Sequence, residues 1–154
     1  MRSLTGMMKN YAAAVMYTIL GLVSGLFYRE YTKSIDAVGV KSQLSTVHTH
    51  LLALGLLMAL IMIALDASLR LSGRRSFTVF FWVYNAGVLL TSVMMVIRGI
   101  LTLQGKTEEM TTAAIPGIAG LGHMLITGGL IALLVALYGA IKDREVTTTA
   151  PAAR

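Results

Sequence analysis

His48 and His50 stand two residues apart in Val47-His48-Thr49-His50-Leu51, inside a long uncharged run, and His123 lies in another such run; the chain has no other histidine. Ionisable side chains within apolar spans are costly and mark cofactor, ion or proton sites. Neutral imidazole ligates iron, copper and zinc, so three chemistries fit these residues: axial ligation of haem, binding of a metal cation, or hydrogen bonding and proton transfer between helices. The chain has no cysteine. That excludes thiolate ligands, disulfides and covalent haem attachment through C-x-x-C-H, so any haem must be held by axial bonds and packing.

Spacing narrows the choice. Residues i and i+2 on a helix point ~200° apart, so one of His48 and His50, not both, faces a common centre with His123. A single cation wants three or four convergent ligands, for which His-x-x-x-His would be the natural helical spacing. One imidazole from each of two helices suits a flat macrocycle clamped between axial ligands, as in a b-type haem.

The elements that must position these residues are membrane helices. Hydrophobic residues make up 56% of the 154 positions, charged residues 13%, and the mean hydropathy is +0.74. Uncharged runs over 10–28, 42–65, 76–97 and 110–141 are each long enough for the ~20 residues that cross the hydrocarbon. The expected fold is all-α, a polytopic four-helix up-down bundle occupying 1–145, with Pro116 opening the last helix, 110–115 a loop and 146–154 a disordered tail. The first run lacks the short apolar core and small-residue cleavage site of a signal peptide and reads as a retained helix.

Net charge +6 raises nucleic acid as a partner, but the basic residues track the membrane sides and read as topology signals and lipid-headgroup contacts. Eight of the thirteen, Arg74 and Arg75 among them, lie before the first run, between the second and third, or after the last. The positive-inside rule therefore predicts cytoplasmic N- and C-termini, and a cell-membrane location with lipid as the surrounding partner. In that topology the second and fourth helices both begin at the outer face, which gathers His48, His50 and His123 into one layer with Arg29, Glu30 and Arg98.

Arg98 follows 22 uncharged residues without an adjacent carboxylate. Arg98 and Arg29 either snorkel to the interface or pair with haem propionates, Arg98 being the better propionate candidate, and Glu30 can neutralise one of them. Gly21 and Gly25 form Gly-x-x-x-Gly, a weak signal for a homo-oligomer, and the glycines of the fourth helix permit close packing or make room for a macrocycle. Most of the ten methionines read as filler, with Met110 and Met124 nearest the polar layer. Phe80, Phe81, Trp82 and Tyr84 read as an interfacial aromatic belt rather than a quinone site, and Tyr11 and Tyr17 as interface and packing residues.

Val47-His48-Thr49-His50-Leu51-Leu52 resembles the second-helix motif Val-His-Thr-(Asn or Ser)-Leu-Leu of the catalytic subunits of nitric oxide reductases and haem-copper oxidases. The resemblance implies that His48 is an axial ligand of a low-spin haem b, with His50 at a non-ligating place. Gly120-Leu121-Gly122-His123-Met124 is similar, less specifically, to histidine-bearing helices of that superfamily. The chain lacks the histidine cluster of the second metal centre, so reduction of oxygen or nitric oxide is not implied. More broadly, Gly21 to Lys33, the His-Thr-His motif, Arg98-Gly99 and the Gly-x-x-His helix are similar to a family of small uncharacterised four-helix bacterial membrane proteins.

The expectation is thus a bacterial membrane protein binding one haem b through His48 and His123, acting in electron transfer or in sensing haem, redox state or a gas, with a redox protein or quinone as partner. The alternatives are transport or storage of a copper-type cation through His48, His50, His123 and Met124, and an assembly subunit of a respiratory complex.

Overall fold

A computed structural model describes residues 2–106 and 114–149. Four helices are long and apolar enough to cross a membrane, with spans Gly6–Ser34, Gln43–Leu69, Arg75–Leu103 and Gly117–Glu145. Between 22% and 33% of the most apolar stretch of each is buried in the protein. The remaining apolar surface requires a lipid solvent, and the chain is a multi-pass, all-helical membrane protein.

α1 (Arg2–Ser34) is one continuous helix. The second span is composite: a 3₁₀ turn (Gln43–Thr46), α2 (Val47–His50), a π-helical stretch (Leu51–Leu57) and α3 (Met58–Leu69). A short 3₁₀ turn, Leu71–Gly73, leads into α4 (Arg75–Leu103), and α5 (Ala114–Thr149) closes the bundle. α5 starts before Pro116 and runs past Val146, so 114–115, expected as loop, and 146–149, expected as tail, are helical. The rest of both segments, 110–113 and 150–154, lies outside the described residues.

Local chemistry explains the ends. α1 closes with Ala37 N–H bonded to Thr32 C=O at 2.8 Å and Asp36 N–H to Lys33 C=O at 3.3 Å, and Asp36 takes φ +54°. α4 closes the same way, with Lys106 N–H on Leu101 C=O and Gly105 N–H on Thr102 C=O, both at 3.0 Å, and Gly105 at φ +74°. Both are left-handed C-caps that satisfy the last carbonyls. At the start of the second span, Ser42 Oγ accepts from Leu44 N–H at 3.2 Å and donates to Gly99 C=O at 2.9 Å, which ties that end to α4. Near the termini, buried Asp66 accepts from Ser72 N–H at 2.7 Å and from the Ser72 hydroxyl, fixing the turn between the second and third spans.

α1 packs on the second span, the second span on α4, and α5 along α4. The core is Tyr17, Leu44, Val47, Met62, Phe80 and Val88, each at most 2% exposed. Phe80 and Tyr84 are therefore core residues, not belt residues, whereas Trp82 is 62% exposed. Tyr17 is likewise buried, donating its hydroxyl to Asn85 Oδ1 at 2.8 Å, whereas Tyr11 faces outward. Gly21 and Gly25 receive Leu52 and His48 of the second span, so the Gly-x-x-x-Gly face serves packing within the chain.

The π-helical stretch follows His50 directly. Widening the helix leaves a carbonyl short of its α-helical partner, and the Tyr84 hydroxyl donates to Leu54 C=O at 3.0 Å. Gly55 admits the Tyr17 ring, which a Cβ would overlap. Tyr84→Phe should cost ~0.6 kcal/mol, the mean for a polar contact between membrane helices, read as a lower midpoint in detergent unfolding.

Candidate functional site

The second span and α5 touch chiefly within α3, toward the termini, and toward the opposite end a space remains between them, floored by α4. This cavity of about 250 Å³ is lined by Gln43 and His50 from the second span, Thr91, Met94, Met95 and Arg98 from α4, and Ala119 and His123 from α5.

His50, rather than His48, is the second-span histidine that meets His123. His48 lies on the other side of its helix, where a Cβ on Gly25 of α1 would sit 3.6 Å from His48 Cβ and 3.8 Å from Cγ. Its Nδ1 is buried with no hydrogen-bond partner among the described residues. The ~200° between i and i+2 accounts for this division, with the phase of the span placing the second histidine of the motif inward.

His123 is oriented by its own helix. Its Nδ1 lies 3.1 Å from Ala119 C=O. A carbonyl only accepts, so Nδ1 carries the proton and Nε2 keeps its lone pair free for a metal. The next turn adds Thr127, whose hydroxyl donates to His123 C=O at 2.9 Å. Gly120, one turn before His123, faces open space: a Cβ there meets nothing within 4 Å. On α4, Thr91 lines the cavity, while its buried Oγ1 has no hydrogen-bond partner among the described residues and lies in the seam against Gly122 of α5.

Arg98 reaches the cavity; Arg29 does not. Arg29 is largely exposed and pairs with Glu30 at 3.6 Å, and Lys33 pairs with the same carboxylate at 3.8 Å. Arg29 is not among the residues that line this cavity. Met124 is 72% exposed and away from the cavity, and Met110 lies outside the described residues. Met94, Met95, Thr91 and Gln43 were not singled out from sequence. Counting back from Arg98 by four, three and seven would have found the first three, which share its face of α4.

No group of three or more His, Cys, Asp or Glu side chains converges among the described residues. The lining brings together two imidazoles, two thioethers and one guanidinium. Such a set could hold an iron macrocycle through the two imidazoles, or a soft ion in a mixed nitrogen and sulfur environment.

A family described as a protein of unknown function, DUF2871, matches residues 7–140. No curated protein and no solved structure matches the chain.

Proposed function

The chain belongs to the DUF2871 family, and we propose that it is a membrane-embedded b-type haem protein, with His50 and His123 as axial ligands, that carries electrons or senses redox state or a gas. The observation that carries this reading is the shared cavity of His50, His123 and Arg98. His123 directs Nδ1 at Ala119 C=O, which leaves Nε2 as the nitrogen available to a metal. A bound haem would supply a one-electron iron couple, and two imidazoles would saturate the iron. Arg98 lines the same cavity and would be the residue to pair with a propionate.

The resemblance of the His-Thr-His segment to haem-binding helices supports the cofactor but assigns the ligand to His48; the cavity favours His50. Absorption spectra of the purified protein with and without dithionite test the reading directly. Sharp reduced α and β bands are expected, and a colourless protein from haem-replete cells overturns it. A second reading rests on Met94 and Met95: with His50 and His123 they form a donor set suited to copper(I). A colourless protein that retains copper through detergent purification would favour that reading.

We also propose a bacterial cytoplasmic membrane with both termini inside, supported by the basic residues around Arg70, Arg74 and Arg75. Gly73→Cys and Val38→Cys test it in a chain with no cysteine, since both sites are exposed. In intact cells a membrane-impermeant maleimide should label Val38→Cys and spare Gly73→Cys; the reverse pattern would invert the protein.

A further inference from the structure

At the termini end of the bundle, α1 and α4 stand apart around the Tyr17–Asn85 hydrogen bond, and two joined cavities open between them. The first, about 210 Å³, is lined by Lys9, Asn10, Ser72 and Thr78 together with Phe77 and Trp82. The second, about 520 Å³, is almost wholly apolar and runs along Ala12, Ala13, Met16, Ala86 and Leu89. Lys9, Phe81 and Trp82 line both, so the two are one groove with a polar, aromatic head and an apolar channel.

The shape follows from residue size. Alanines at 12, 13 and 86 leave the channel where larger side chains would close it. At the head, Gly6 lets α1 pack against Ser72, whose side chain a Cβ would overlap. The donors at the head are not all spent. Asn10 gives one amide hydrogen to Gly6 C=O at 3.2 Å and keeps a second, and the Lys9 ammonium and Thr78 hydroxyl border the same space. Phe81 and Trp82 stand edge to face at 84°, with centroids 5.2 Å apart. They present ring surface beside the donors.

We propose that this groove binds an isoprenoid quinone. A quinone head is a flat ring with two carbonyl acceptors and no charge, which matches a few hydrogen-bond donors beside aromatic faces. Its tail is a single apolar chain, which matches one channel walled by small residues. A phospholipid fits less well: its phosphate carries a full charge and seeks convergent cations or a bidentate guanidinium, and among the described residues Lys9 is the one cation bordering the head. The head of the groove sits at the opposite end of the bundle from His50 and His123, no residue lines both the groove and their cavity, and the inference does not depend on what they bind.

Trp82 is the chain's single tryptophan and borders both cavities, so its fluorescence reports on the groove. The full-length protein in phosphatidylcholine nanodiscs is titrated with a short-chain ubiquinone analogue, using wild type and, to remove quenching by any haem, His123→Ala. Saturable quenching is expected in both. Ala12→Leu with Ala86→Leu, at two exposed positions, should fill the channel and weaken half-saturation by at least about tenfold; Lys9→Gln should weaken it less. Quenching that rises linearly with quinone and is the same in every variant is collisional and overturns the proposal. Loss of the saturable component on substituting phosphatidylglycerol for phosphatidylcholine would assign the groove to anionic lipid and overturn it equally.

Discussion

Replacing either His50 or His123 by alanine should abolish the reduced α and β bands, whereas His48→Ala should leave them intact. Axial ligation requires an imidazole nitrogen directed at the same centre from each side. His50 and His123 border one cavity, and His48 packs against α1 near Gly25, on the other face of the second span. Removing one ligand leaves an open iron position, so partial retention of haem would show a broad high-spin spectrum rather than the sharp bis-imidazole one. Spectra and haem-to-protein ratios of the three variants decide the matter. An essential His48 with a dispensable His50 would mean that the second span turns when the cofactor binds. Arg98→Gln should keep the spectrum and lower the midpoint potential, because loss of a nearby positive charge disfavours the electron-richer state.

The second large effect concerns the seam between α4 and α5. A Cβ at Gly87 would lie 2.7 Å from Ile126 N and 2.8 Å from Gly122 O, both backbone atoms that cannot swing aside. Gly87→Val should therefore push the helices apart and cost about 3 kcal/mol, the upper end for overpacking. Gly128→Ala is the control, since a Cβ there meets nothing within 4 Å. It should leave stability unchanged or raise it slightly, because alanine prefers the helix. Titration of Trp82 fluorescence with sodium dodecyl sulfate in mixed micelles measures both. α5 rests chiefly on α4. Loosening the seam should also displace His123 and reduce haem retention.

The four spans could be read directly, because uncharged runs of that length have one stable solution in a bilayer. The histidine layer near the loops followed from the same topology, and Arg98 was identified by its isolation. The facing of the histidines was not readable. A motif resemblance favoured His48, and wheel arithmetic alone could only separate the pair, since absolute phase depends on the neighbouring helices. The π-helical stretch obscures that phase further. Buried positions recur as Val47, Leu51, Gly55 and Ala59, every fourth residue, and then as Met62 and Asp66. A strict 3.6-residue count carried up from α3 drifts off the core across this stretch. Tyr84 and Phe80 were misplaced for a related reason: aromatic residues near a span end suit a membrane interface or a helix seam, and the packing partner decides between them.

The π-helical stretch also separates two adjustments that an unbroken helix would couple. Inserting or deleting one residue in an α-helix swings everything beyond it by ~100° about the axis. Here the spare winding sits between an anchored half, holding Met62 and Asp66 in the core, and a working half that presents His50. The second span therefore behaves as a shaft with a coupling partway along. Its lower end can stay locked in the bundle while the coupling sets the angle at which the imidazole meets its partner, and Tyr84, clamped to Leu54, is the pin that fixes that angle.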